Sequence, residues 1–202
     1  MIDERGAILK SLLDREEELL EHAGELDNGR EVYGLNRTQI ADLASPYIDL
    51  CASEGLKLSI LEVGGGQGNA VIKILDKHPS VEPSDITMTS LKPLDGHKKL
   101  KQRGVHVFTG VMAESLPNTW TDKFEVLLTS TMMQWIAEDQ TEKVAKEYFR
   151  VLRPKGMWFG LDDSVTVQRI LEKAQECGFT NVTDQYTFPA SPTSTPFVLR
   201  RN

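Results

Sequence analysis

The chain has 202 residues, 40% of them hydrophobic and 26% charged, which suits one soluble domain with a sizeable core. Its net charge of −7 and pI near 5.2 give a negative field that repels phosphate backbones and argues against a nucleic-acid partner. No apolar run reaches membrane-spanning length, the N-terminus MIDERGAILK has no apolar leader, and the two cysteines, Cys51 and Cys177, form no metal or redox motif, so the expectation is a cytoplasmic protein with free thiols and no membrane partner.

Residues 4–26 place Ile8, Leu9, Leu12, Leu13, Leu19, Leu20, Ala23 and Leu26 at helical spacing between glutamates, predicting an amphipathic helix broken by Asp27-Asn28-Gly29-Arg30. Asn36 and Gln39 have the spacing of a capping box for a second helix near 37–51, which Pro46 should kink or restart. From residue 58 the pattern changes. LSILEV (58–63) is a short apolar run, and NAVIKILDKH (69–78) is a helix closed by Pro79. DITMTS (85–90) alternates as a strand, LDGHKKLKQR (94–103) is helical up to Gly104, and VHVFTG (105–110) and FEVLLTS (124–130) are strands. DQTEKVAKEYFRVL (139–152) is a helix with Asp139 and Glu142 at capping-box spacing. Arg153-Pro154-Lys155-Gly156 turns the chain into the strand MWFGL (157–161). TVQRILEKAQECG (166–178) is the last helix, and 181–188 and 196–201 read as two strands joined by PASPTST.

Alternating strands and helices imply a mostly parallel sheet with helices on both faces and the terminal strand pair, antiparallel to each other, at its edge. Ligands of such sheets bind beyond the carboxyl ends of the strands, where strand order switches. Four glycines, Gly64, Gly65, Gly66 and Gly68, leave the first strand at that place. They permit a tight strand-to-helix turn and let a ligand touch bare backbone, with the next helix's N-terminus aimed at it. The run fits GxGxG and misses GxGxxG at Asn69, which weakens a nicotinamide-dependent oxidoreductase reading. Glu62 precedes the glycines. A carboxylate there disfavours pyrophosphate and favours a ligand with a cationic group.

ILEVGGGQG (60–68), VMAESLPNTWTDKFEVLLTSTMMQWI (111–136) and VLRPKGMWFG (151–160) together resemble the class I S-adenosylmethionine-dependent methyltransferases, in order and at ordinary spacing over most of 58–199. The resemblance implies a Rossmann-like, seven-stranded, mostly parallel sheet with an antiparallel last strand, formed by residues 58–202, and an N-terminal helical cap formed by 1–57. It implies S-adenosyl-L-methionine as cofactor, a methyl transfer to a small-molecule acceptor, and a site built from Glu62, Gly64, Gly65, Gly66, Gly68, Thr89, Ser90, Met112, Ala113, Glu114 and Thr129. The acceptor side would take Tyr33 and Arg37 from the N-terminal segment and Met132, Met133 and Trp135 from the segment after the fourth strand. MMQWI is similar to the ALQW segment of methyltransferases that esterify small carboxylic acids, such as trans-aconitate methyltransferase.

Two positions depart from the family pattern. Thr89-Ser90 stands where an acidic residue usually takes both ribose hydroxyls, and Met112 stands where an aspartate often meets the adenine amine. These departures keep open a catalytically degenerate, cofactor-binding module that acts through protein interaction. The leucine stripe of the first helix offers a surface for a second copy or a partner protein. No general base stands out, and no metal-ligand spacing occurs.

Overall fold

A computed structural model describes residues 38–188 and 194–202. The predicted first helix, Tyr33, Arg37 and the Asn36 end of the first capping box lie outside the described residues.

Seven strands form one sheet: β1 (Ile60–Val63), β2 (Ile86–Ser90), β3 (His106–Thr109), β4 (Phe124–Ser130), β5 (Leu152–Asp162), β6 (Phe179–Asn181) and β7 (Thr195–Arg201). Their spatial order is β3-β2-β1-β4-β5-β7-β6, parallel except for β7, which runs antiparallel to both β5 and β6. The chain works outward from β1 to β3 and returns beside β1 as β4, so the order switches between the carboxyl ends of β1 and β4.

Period-two alternation splits the core into two layers. Ile60, Met88, Val126, Leu128 and Phe159 face α1 (Gln39–Ser53), α2 (Asn69–Lys77) and α3 (Asp95–Arg103), meeting Ile40, Ile48, Val71, Ile74 and Leu100. Leu61, Leu127 and Trp158 face α4 (Thr141–Val151) and α5 (Ser164–Glu176), meeting Val144, Tyr148, Val167 and Ile170. Every residue of β1 and β2 is buried, and for β1 this is why the strand reads as an apolar run rather than as alternation. Gly160 admits the Phe197 ring from β7: a Cβ there would stand 1.9 Å from it.

The first described helix belongs to the sheet's own core, through Ile40, Ala44 and Ile48. Pro46 does not restart it. Pro46 is exposed, on the outer side of the helix, and α1 runs on to Ser53. Ser45, His78 and Asp49 tie α1 to the end of α2, with 2.9 Å between Ser45 Oγ and His78 Nε2 and 2.9 Å between His78 Nδ1 and Asp49 Oδ1. The connectivity is that of a hydrolytic triad. Ser45, however, is buried in mid-helix and its hydroxyl donates to the Ala41 carbonyl at 2.8 Å, so the trio is a structural tie.

Several local expectations are corrected. Asp139 does not cap α4. It sits in a 3₁₀ turn, Glu138–Gln140, and the N-cap is Gln140 with no side-chain bond. The strand expected over 181–188 is confined to Phe179–Asn181, because Thr183–Gln185 forms a 3₁₀ turn. Asn181 Oδ1 accepts from the Thr183 amide at 3.0 Å and so starts that turn. The expected turn at Arg153–Gly156 lies inside β5, as an irregularity in its register with β4 between Phe124 and Val126.

At that irregularity the positive φ falls on Lys155, at 67°, an exposed residue in a conformation that favours glycine. Lys155→Gly relieves about 1–2 kcal/mol of left-handed strain against about 0.5–1 kcal/mol of added chain entropy. The expected result is a melting temperature higher by about 2 °C, read by calorimetry; a lower value would show that the lysine side chain holds this bend.

Candidate functional site

The glycine loop is shaped by what surrounds it. Gly64, Gly66 and Gly68 have φ of 71°, 54° and 81°. A Cβ on Gly64 would stand 2.5 Å from Met132 Cγ, and one on Gly65 would stand 2.6 Å from the Met88 side chain and 2.7 Å from Glu62 Oε2. Both the backbone conformation and the space therefore exclude side chains here. The Gly65 amide donates to the Thr89 carbonyl at 3.0 Å, and the Gly68 amide to the Gly65 carbonyl at 2.8 Å, which folds the loop over the end of β2. Gly68 is the N-cap of α2.

Residues with no apparent motif hold this loop from outside. His97, in the first turn of α3, accepts from the Leu94 amide with Nδ1 at 3.2 Å and donates from Nε2 to the Gly66 carbonyl at 2.8 Å. Gln67 Oε1 accepts from the Gly96 amide at 2.9 Å, and a Cβ on Gly96 would overlap the Gln67 carbonyl at 2.2 Å. The start of α3 is thus pinned against the glycine loop, beside the ends of β1 and β2. His97 is buried and structural.

Glu62 is 4% exposed, its carboxylate beside Gly65. A carboxylate fixed there places negative charge at the loop, which suits a cationic group of a ligand. Thr89 and Ser90 end β2, both buried. Thr89 Oγ1 lies 3.4 Å from the Gly64 amide as acceptor, while Ser90 Oγ donates to the Lys92 carbonyl at 2.9 Å. Met112 and Ala113 are buried in the turn after β3, and Glu114 is half-buried. That turn is anchored to α4. Glu147 Oε2 accepts from the Leu116 amide at 3.0 Å, and Arg150 Nη2 donates to the Leu116 carbonyl at 3.0 Å. The Arg150 guanidinium holds the Glu147 carboxyl below its usual range. In sequence Glu147 and Arg150 look like an ordinary solvated helix face.

Beyond β4 the structure separates residues that the sequence grouped. Thr129 turns its hydroxyl into the core, where Oγ1 accepts from Trp158 Nε1 at 2.9 Å. Met133 is wholly buried in the α4–α5 layer of the core. Met132 packs over Gly64, and Trp135 is half-buried in the 3₁₀ turn Met133–Trp135. Thr131 turns the chain at φ 53°, a strained conformation for a β-branched residue.

Sequence reasoning missed Asp162. It ends β5 at 1% exposure, accepting from the Met133 amide through Oδ2 at 3.0 Å and from the Asp163 amide through Oδ1 at 3.1 Å. Burial pushes its carboxyl up to about 7, against the lowering effect of these amides. Asp163, next to it, is the N-cap of α5 and accepts from the Val165 and Thr166 amides. The Asp-Asp pair at a strand-to-helix junction was the available signal, and it gives no hint of which member turns inward. Among the described residues no cluster of His, Cys, Asp and Glu could hold a metal, and no helix is long and apolar enough to cross a membrane.

Residues 60–156 match the family described as a methyltransferase domain. Among solved structures, the fold is similar to a 1,6-didemethyltoxoflavin N1-methyltransferase of Burkholderia thailandensis, determined with 1,6-didemethyltoxoflavin and S-adenosylhomocysteine. The TM-score is 0.69 at 16% identity, covering 100% of this chain and 91% of that one. It is similar to a TehB-like SAM-dependent methyltransferase of Corynebacterium glutamicum, with a TM-score of 0.63 at 19% identity over 93% of this chain and 97% of that one. It is also similar to the [4+2]-cyclase SpnF, with a TM-score of 0.55 at 16% identity over 78% and 80%. No protein with a curated description matches the sequence significantly.

The raised Asp162 carboxyl has a consequence for stability. The folded state holds this proton up to about pH 7, and the unfolded chain releases it near the ordinary value of 3.8. Asp162 therefore stabilises fully below pH 3.8, and that stability is lost as pH rises toward 7. Thermal melts from pH 5 to pH 8 should show wild type losing more than Asp162→Asn up to about pH 7 and running parallel above it. Parallel curves throughout would place the titration elsewhere.

Proposed function

Since the chain carries a class I S-adenosylmethionine-dependent methyltransferase domain, we propose that it transfers a methyl group to a small-molecule acceptor, with the cofactor lying across the glycine loop at the β1–β4 switch. The observation that carries this reading is the buried Glu62 carboxylate beside glycines that leave no room for a Cβ. That pairing fits an amino-acid ammonium lying against bare backbone.

In this reading Glu62 and the loop of Gly64, Gly65, Gly66 and Gly68 hold the methionine end. Thr89 and Ser90 face the ribose, and Met112, Ala113 and Glu114 flank the adenine. Thr129 contributes its backbone, since its hydroxyl is committed to Trp158. The bound cofactor supplies an activated methyl sulfonium. The protein's task is then alignment: an acceptor atom held in line with the methyl and shielded from water. Met132, over Gly64, and Trp135, half-buried beyond it, are the described residues placed to wall the acceptor. Tyr33 and Arg37 belong to the same proposal, as does the assignment of 1–57 as a cap.

The bound small heterocycle in the Burkholderia structure, which this chain matches over its whole length, supports a small acceptor. An acceptor that arrives as an anion needs no general base. The alternative is a cofactor-binding module without transfer. It draws support from the neutral Thr89-Ser90 at the ribose position, and from a cyclase on the same fold.

S-adenosylhomocysteine should raise the melting temperature of the wild type by mass action. Glu62→Gln should weaken its binding about tenfold or more, as loss of a charged hydrogen bond does. Calorimetry with no heat at millimolar ligand would sink the methyltransferase reading, and binding without transfer to any small acid, amine or heterocycle would favour the module.

Trp135→Ala should keep S-adenosylhomocysteine affinity and the fold while lowering acceptor turnover. A stability loss of about 3–5 kcal/mol with cofactor affinity falling in parallel would instead make Trp135 a packing residue.

A further inference from the structure

The segment Thr131–Ile136 carries Met132 and Trp135, and its path is not set by its own sequence. Its first amide, at Thr131, donates to the Leu161 carbonyl at 2.8 Å. The Met133 amide donates to Asp162 Oδ2 at 3.0 Å. From α5, Arg169 Nη2 donates to the Met133 carbonyl at 3.1 Å and to the Ile136 carbonyl at 3.2 Å. One residue, Met133, is therefore gripped from both sides of its backbone, by a carboxylate on its N–H and a guanidinium on its C=O. Within the segment, Gln134 Nε2 donates to the Thr131 carbonyl at 3.0 Å.

The segment needs this grip. Thr131 sits at φ 53°, and its buried Oγ1 has no hydrogen-bond partner among the described residues. Left alone, the chain would relax toward an ordinary backbone conformation. Held, it presents Met132 to Gly64 and keeps Trp135, three residues on, half-buried.

Resting on the methyltransferase reading above, we propose that Asp162 and Arg169 are positioning residues. Together they clamp the 131–136 backbone from the end of β5 and from α5, and so set where the acceptor-side residues Met132 and Trp135 stand relative to the glycine loop. Both Asp162 oxygens accept backbone amides, so Asp162 acts through the segment and not on the acceptor. The two residues that fix the acceptor wall belong to the β5–α5 junction, outside the glycine loop and outside the wall itself. Changes here therefore act on the acceptor side more than on the cofactor side, which they reach only through Met132 against Gly64.

Tryptophan fluorescence tests this directly. Trp120 and Trp158 are 3% and 0% exposed, so acrylamide reaches chiefly Trp135, and Trp135→Phe supplies the control. Arg169→Met and Asp162→Ala should each shift the balance between held and released segment by about fivefold, the equivalent of one hydrogen bond. The shift should appear as stronger acrylamide quenching, while S-adenosylhomocysteine affinity stays within about threefold, less than the loss of one such bond. Asp162→Asn keeps an oxygen for the Met133 amide and should restore most of the wild-type quenching. If Asp162→Ala does not fold, Arg169→Met decides. Wild-type quenching in Arg169→Met overturns the clamp. So does a fall in cofactor affinity that tracks melting temperature, because that is the mark of a merely structural role. Failure of the wild type to bind S-adenosylhomocysteine is a separate result: it removes the methyltransferase reading, and the acceptor role with it.

Discussion

The rest of the site depends on the contact between bare backbone at Gly64–Gly68 and the side chains pressed against it. Met88 and Glu62 occupy the place of a Cβ at Gly65, Met132 that at Gly64, and Leu100 that at Gly68. Each comes from a different part of the chain. The loop can therefore close only where β1, β2, α3 and the segment after β4 all converge. A single added methyl would have to displace β2, α3 or the acceptor-side segment, because interiors at this density transmit strain rather than absorb it.

Around that contact the chain uses polar side chains to fix backbone rather than to meet ligand. His97 holds the Gly66 carbonyl, Glu147 and Arg150 hold Leu116, and Asp162 and Arg169 hold Met133. These bonds hold the loops that leave the carboxyl ends of β1, β3 and β4, where amides and carbonyls lose their sheet partners. Charged groups make stronger hydrogen bonds than neutral ones. A carboxylate or guanidinium from a neighbouring helix can therefore hold an irregular loop in a single path. At Asp162 burial opposes the charge, raising the carboxyl to about 7.

The fold by itself admits more than one chemistry. At 16% identity the same sheet is found in a methyltransferase and in a cyclase. What directs the reading is local charge: a buried carboxylate at the exit of β1, in a chain of net charge −7 that disfavours polyanionic partners. In the proposed cofactor pose, the neutral Thr89 and Ser90 would offer the ribose a weaker electrostatic hold than a carboxylate, and more of the binding would fall to Glu62 and the backbone amides of the glycine loop.

The sequence by itself determined the order and kind of the elements. Hydropathy period, helix-length patterns and the glycine run are local properties, and they gave the parallel sheet, its antiparallel edge and the place of the glycine loop. It did not determine which polar residues turn inward. Asp162 and Asp163 are identical neighbours, yet one is a buried clamp and the other a helix cap. Met132 and Met133 are likewise adjacent, one over the glycine loop and one in the core. Thr129 has the strand-end place of a site residue, but strand alternation points its hydroxyl to Trp158. These differences depend on the neighbour that each side chain meets across the sheet. Such neighbours lie roughly thirty residues away in sequence, as Asp162 from Met133 and Arg169 from Met133 do. Only the tertiary structure decides such pairings, because burial and hydrogen-bond partners are properties of the assembled sheet and not of the local chain.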